Sequence, residues 1–219
     1  MSFIDFLKEH WLHVLPILIA GAFAIAITLE RFQTLFRTYP LKNTTEFFDT
    51  IGKYLVAGQV QEAIVHCDKL PQKPAVAIVK QALLRAHQPE PLIESTLEIS
   101  IHEAQQSIQK RTAFLSTIAN VATLLGLFGT IAGLISSFEA VGAADPQQKS
   151  ALLAAGISTA MNATMMGLAV AIPCMVAFSF LMSQSNRLVS EVEQSAIRVL
   201  DLIKQRYYCA QKEIAEEVA

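Results

Sequence analysis

Between Ala113 and Asn186 the sequence has almost nothing that ionises: Glu139, Asp145 and Lys149 are its only charged residues. The two stretches beside that short loop, Ala113 to Phe138 and Ser150 to Asn186, hold no Asp, Glu, Lys, Arg or His. A proton pathway ordinarily needs such a group inside the membrane, at an insertion cost of roughly 2.5–3.5 kcal/mol. A self-contained proton pump is therefore not expected, and an ion crossing here needs a titrating carboxylate from another chain. Cysteine is also scarce. Cys67, Cys174 and Cys209 show no CxxC or Cys/His spacing, so they read as plain thiols, with neither a metal nor a redox site. A net charge of −2 leaves no basic field for nucleic acid. No cluster of His, Asp, Glu, Ser or Cys falls at catalytic spacing, so no enzyme is expected. His66, His87 and His102 read as surface residues of polar helices.

What is present is apolar: 53% hydrophobic and 16% charged residues, with a mean hydropathy of +0.40. That is membrane-protein composition. Residues 1–12 set Phe3, Phe6, Leu7 and Trp11 against Asp5, Lys8 and Glu9, an amphipathic helix suited to the membrane interface. Acid outweighs base there, which disfavours a cleaved signal peptide. The run Val14 to Leu29 predicts a first transmembrane helix over 13–30, since about 20 residues cross a core of about 30 Å. The second and third transmembrane helices fall at 113–138 and 150–186, joined by a loop at 139–149.

Lys and Arg are retained on the cytoplasmic side of a membrane. Ten lie between spans one and two, from Arg31 to Arg111, and five follow span three, from Arg187 to Lys212; only Lys8 and Lys149 are left for the other face. The expected topology is a periplasmic N-terminus, a cytoplasmic helical region over 31–112, a periplasmic loop at 139–149 and a cytoplasmic C-terminal helix over 187–219. Within the cytoplasmic region, Phe47, Phe48, Ile51, Tyr54 and Leu55 mark one helix that stops at Gly58. Val60, Ala63, Ile64 and Cys67 mark a second, and Ala75 to Arg85 a third, bounded by prolines. From Leu92 the positions Ile93, Leu97, Ile101, Ala104 and Ile108 predict one helix running unbroken into span two. Leu188, Val192, Ile197, Leu200 and Ile203 extend span three in the same manner. The fold class is all-α, with spans two and three extended into a cytoplasmic helical bundle.

In span two, Ala119, Ala122, Gly126, Gly129, Gly133 and Ser136 step by three and four along one face of small residues. Lipid tails give no hydrophobic gain for helix association, so such a face serves close backbone approach. Asn120, Thr123, Leu127, Thr130, Leu134 and Ser137 form a more polar stripe beside it. Span three repeats the theme, with Ala160, Thr164, Gly167, Ala171 and Cys174 on one line and Thr159, Asn162, Met166 and Ala169 on its neighbour. Each polar residue has a structural alternative: Thr bonds back to its own helix, and Asn or Ser holds helices together for roughly 0.6–2 kcal/mol. Asn162 carries two donors and an acceptor, which need a helix partner or a wet cavity.

The motifs "LLGLFGTIAGLISSF" in span two and "GISTAMNATMMGLAVAIP" in span three, with the "LERF" exit from span one, resemble the MotA/TolQ/ExbB proton-channel family in its three-span TolQ/ExbB form. The resemblance covers nearly the whole chain. It implies a homopentamer in the bacterial inner membrane, enclosing the single-span helices of a dimeric partner of the ExbD/TolR/MotB kind that supplies the ion-carrying Asp. It also implies that Thr130 and Thr164 line the ion pathway, with Pro173 matching the proline of the "AIP" motif. Where TolQ and ExbB usually have a Glu five residues before the second Thr, this chain has Thr159, and Asn162 replaces an apolar residue. A wall of hydroxyl and amide oxygens suits Na⁺ as well as H⁺, because hard cations prefer oxygen ligands.

The expectation is thus an ion-conducting stator subunit that couples a proton or sodium motive force to work at the cell envelope, without a cofactor beyond the transported H⁺ or Na⁺. Thr130, Thr164, Thr159 and Asn162 are expected along the ion path, and Gly126, Gly129, Gly133, Ala160, Gly167 and Pro173 in helix packing and toward the partner. The rival readings are a non-conducting membrane scaffold and a solute transporter; the latter would ordinarily show internal repeats and broken helices.

Overall fold

The computed structural model describes the backbone of residues 11–41 and 43–217 and the side chains of 15–41 and 43–208. The interfacial segment expected over 1–12 therefore falls outside the described residues except at the start of the first helix, and the side chains of Trp11 and Cys209 fall outside them too. Helix accounts for 88% of the described residues, and no strand occurs among them, as the all-α expectation requires. The order is α1 (Trp11–Gln33), a π-helical turn (Thr34–Thr38), α2 (Thr44–Val56), α3 (Val60–Asp68), α4 (Pro74–Leu84), α5 (Glu90–Gln109), α6 (Thr112–Ala143) and α7 (Lys149–Glu217). Three helical stretches, Leu15–Thr38, Glu90–Ala143 and Lys149–Tyr208, are long and apolar enough to cross a membrane.

Two compact units divide the chain: residues 1–31 with 111–181, and residues 32–110 with 182–219. In the first, α6 and α7 meet through small residues, and Ala119, Ala122, Gly126, Gly129, Ala160, Gly167 and Ala171 are all buried. The face anticipated from spacing is the packing face, except that Ser136 is exposed and Ala163, outside the expected lines, opposes Gly129. A Cβ built on Gly167 would sit 2.6 Å from the Ala122 carbonyl oxygen and 2.9 Å from the Gly126 Cα. Backbone against backbone leaves no room for it. Helix α1 joins through Ile17, which packs with Ala163 and Met166, and through Gly21, where a Cβ would lie 3.3 Å from Val170. Large apolar side chains such as Phe23, Leu124, Phe128, Met161 and Val176 point outward, which costs nothing where the surroundings are lipid tails.

The second unit buries the stripe Phe47, Phe48, Ile51 and Leu55 of α2, Ala63 and Cys67 of α3, and most of α4. Gly58 holds φ +74 where α2 turns into α3, a left-handed conformation that glycine adopts freely. The α7 portion contributes Leu188, Val192, Ala196, Val199 and Ile203, and the Arg198 guanidinium lies 5.5 Å over the Phe48 ring. Ile197, expected on the buried stripe, is exposed; a period of 3.6 residues places Ala196 and Val199 inward instead. Lys204 pairs with Glu90 at 2.5 Å and Glu94 at 3.4 Å, and the Leu41 amide donates to Glu191 at 3.2 Å. His66 is half-buried beside Phe47 and Tyr54, unlike the exposed His87 and His102.

The helix expected to run unbroken from Leu92 into span two is in fact two helices. α5 ends at Gln109, Lys110 is extended (ψ 134), and Arg111 adopts φ 64 before α6 starts at Thr112. A left-handed conformation at a residue other than glycine costs roughly 1–2 kcal/mol. One Arg111 guanidinium nitrogen lies 2.7 and 2.8 Å from the two Glu30 carboxylate oxygens. That half-exposed pair is worth about 0.2–1 kcal/mol and offsets only part of the cost. Heptad-like spacing could not reveal the break, because the apolar rhythm continues across it. The connection between the last two spans is also shorter than the expected 139–149, since α6 continues to Ala143 and α7 starts at Lys149.

Gly167→Val should destabilise the protein by about 1–3 kcal/mol, the usual penalty for overpacking, and lower its thermal midpoint in detergent. Gly142→Ala, where a Cβ meets nothing within 4 Å, should be neutral or mildly stabilising in the same measurement. Burial, aided by the neighbouring Asp68, pushes the Cys67 thiol up to about 12. The thiolate is the reactive form, so iodoacetamide at pH 8 should alkylate Cys67 only after denaturation, as peptide mapping would show. The same shift makes the second unit lose stability above about pH 9, where the unfolded chain gives up that proton and the folded chain does not.

Candidate functional site

Thr130 and Thr164 stand on different helices, 34 residues apart, and their side-chain hydroxyls hydrogen-bond to each other across the α6–α7 seam. Each hydroxyl also reaches the Gly126 carbonyl oxygen, Thr130 at 3.0 Å from one turn along its own helix and Thr164 at 3.3 Å from the opposite one. The missing side chain at Gly126 permits this. A Cβ there would lie 3.1 Å from the Gly167 Cα and 3.3 Å from the Thr164 Cα, so any other residue would push α7 away. The packing face and the polar pair are therefore one construction.

Proton counting gives the pair its chemistry. Two hydroxyl protons face three contacts: each hydroxyl with the Gly126 carbonyl, and the hydroxyls with each other. One contact always lacks its proton. Each hydroxyl has one donor and two lone pairs, so the set can turn either face toward an incoming group, donating to an anion or presenting oxygens to a cation. No carboxylate, amine or imidazole lies in either stretch to fix a charge there, and among the described residues no cluster of His, Cys, Asp or Glu could hold a metal ion.

The other expected residues are not part of this cluster. The Thr159 hydroxyl donates to Ala155 of its own helix at 3.0 Å, the structural role open to any helical Thr. Asn162 is half-buried and has no hydrogen-bond partner among the described residues, while Pro173 is exposed on the α7 surface. Asn120 and Thr123, on the polar stripe of span two, are exposed, and Thr123 bonds back to Ala119 at 3.0 Å. Gly126, Gly129, Gly133, Ala160 and Gly167 all lie in the seam that sets the hydroxyls together. Sequence reasoning missed Ser137, which is buried against Gly156 with a hydroxyl that has no partner among the described residues; a Cβ on Gly156 would lie 1.6 Å from the Ser137 Oγ. Its place on the polar stripe was the signal, but the stripe alone did not separate it from its exposed neighbours.

The model of the MotA/TolQ/ExbB proton channel family matches residues 70–194. The Tol-Pal system protein TolQ of Haemophilus influenzae is 35% identical over 101 residues, 45% of this chain and 44% of that protein. The ExbB homolog of Methanothermobacter thermautotrophicus is 28% identical over 174 residues, 79% of this chain and 60% of that one. The biopolymer transport protein ExbB of Pseudomonas putida is 32% identical over 108 residues, 49% and 32% of the two chains. The chain thus spans about a third to three-fifths of the length of these relatives. The matched region runs from just before α4 through the whole of α6 and well into α7, carrying the glycine seam and both threonines, and on that ground this multi-pass membrane protein belongs to the MotA/TolQ/ExbB proton channel family.

Proposed function

We propose that this chain is the ring-forming subunit of an ion-driven stator in the bacterial inner membrane. In this reading five copies enclose two single-span helices of an ExbD/TolR/MotB-like partner, whose Asp carries H⁺ or Na⁺ past the threonines of each copy. The N-terminus is periplasmic and the C-terminus cytoplasmic, as the bias of Lys and Arg requires. The observation that carries the reading is the Thr130–Thr164 hydroxyl pair on the Gly126 carbonyl, set in a helix pair with no ionisable group of its own. Family membership supports it.

The physics follows from the neutrality of that pair. Hydroxyls solvate a partner carboxylate without the opposite formal charge of an Arg or Lys ion pair, so the carboxylate is held without being trapped. The membrane potential supplies about 2.3 kcal/mol per elementary charge per 100 mV. That is enough to bias a step between weakly bound, equivalent sites, and too little to pull a carboxylate out of a buried salt bridge, which costs about 3–5 kcal/mol to break. Thr159 and Asn162 extend the oxygen-bearing surface, with Asn162 the more available because its amide has no partner among the described residues.

Co-expression with the partner and measurement of ion flux or motor output tests this. Thr130→Val and Thr164→Val should each cut output at least about 10²-fold, the low end for loss of a positioned polar group, while the assembly still purifies intact; Thr→Ser should retain most of it. Full activity in both valine variants would favour the scaffold reading, in which the small-residue faces only hold helices together.

A further inference from the structure

Outside the hydroxyl seam, the largest unmet polar demand in the first unit is Arg31. Its side chain is only 5% exposed, yet Nε and Nη1 have no hydrogen-bond partner among the described residues. Its one ion pair among the described residues is long, Nη2 to Glu30 at 3.4 Å. Glu30 is in any case engaged by Arg111, which approaches both of its oxygens. Two guanidiniums therefore share one carboxylate, and the group carries a net positive charge. Next along the chain, Thr112 buries a further hydroxyl that has no partner among the described residues. A guanidinium cannot shed its proton and has five donors to satisfy, so a buried one needs an anion or several acceptors.

The position narrows what that anion is. Arg31 and Glu30 follow the last residue of the apolar run that ends at Leu29, and Arg111 precedes the uncharged stretch that opens at Ala113. Both mark the depth at which hydrocarbon gives way to headgroups. Leu29 and Phe114, one step to the apolar side, are exposed at 66% and 60%. Arg111 and Glu30 are half-exposed, which leaves an approach from outside. We propose that Arg31 and Arg111 form a binding site, at the bilayer boundary, for a phosphate group that carries no cation of its own, unlike the choline-paired phosphate of phosphatidylcholine, with Glu30 as the group the phosphate displaces from Arg31. The planar guanidinium fork matches phosphate oxygens two at a time, and the exposed Leu29 and Phe114 suit the acyl chains of a phospholipid that carries it.

The full chain reconstituted in phosphatidylcholine vesicles, with and without phosphatidylglycerol, decides between sources of that phosphate. An arm with phosphatidylcholine and inorganic phosphate tests the free ion. Phosphatidylglycerol should raise the thermal midpoint and be retained through delipidation in native mass spectrometry, with inorganic phosphate giving neither effect. Midpoint stabilisation by inorganic phosphate alone would keep the site and assign it to free phosphate. Arg31→Gln and Arg111→Gln should each weaken lipid retention about fivefold. Glu30→Gln removes the competing carboxylate and should strengthen retention, a direction that simple damage to the fold does not produce, so it serves even where Arg31→Gln fails to fold. Equal retention of phosphatidylglycerol and phosphatidylcholine by the wild-type chain, or weaker phosphatidylglycerol retention by Glu30→Gln, would overturn the proposal.

Discussion

The approach of two helix backbones to within van der Waals contact is the constraint on which the membrane part of this protein rests. Association of apolar helices in lipid gains nothing from leaving the solvent, because a tail is as apolar as a leucine. What remains is packing area and hydrogen bonding, both of which fall steeply with separation. The absence of side chains at Gly126 and Gly167 brings α6 and α7 to that distance. The Thr164 hydroxyl then reaches a carbonyl on the other helix, a contact that a single extra methyl group would end. Packing and polarity are set by the same residues.

Neutrality is the second property of the seam. A carboxylate or ammonium buried there would be a fixed charge, expensive to insert and strongly coupled to anything that passes. Hydroxyls that share a carbonyl respond to either sign of charge by rotating a proton. In the function proposed above, the titrating group is supplied by another molecule. The arginines at the ends of the apolar stretches are the converse case: permanent charges at the depth where a bilayer is itself charged.

Much of this was legible in the sequence, and the parts that were not share a cause. Composition and run length gave three membrane-crossing helices. Spacing by three and four gave the small-residue face, because a helix period is a one-dimensional signal that needs no partner to be read. Two motifs in spans two and three gave the family. The break at Lys110–Arg111 escaped because its apolar rhythm is continuous and its left-handed residue is an arginine, where glycine or asparagine would have announced it. Ile197 was assigned to a buried stripe by a rhythm of threes and fours that left the choice between neighbouring faces open. Ala163 was missed because alanine scores as filler until the opposing Gly129 is seen. In each case the missing information lay in another segment of the chain.

The Gly129–Ala163 contact bears on how such a sequence can drift. A Cβ on residue 129 would lie 2.7 Å from the Cβ of Ala163, so the two positions together have space for one methyl group. Which helix carries it is arbitrary. An alanine gained on the first becomes tolerable once the second has lost its own, and the intermediate with both is crowded while the one with neither leaves a void. Substitutions at this crossing are therefore expected to be inherited as reciprocal pairs, with the total volume held constant while either residue alone looks variable.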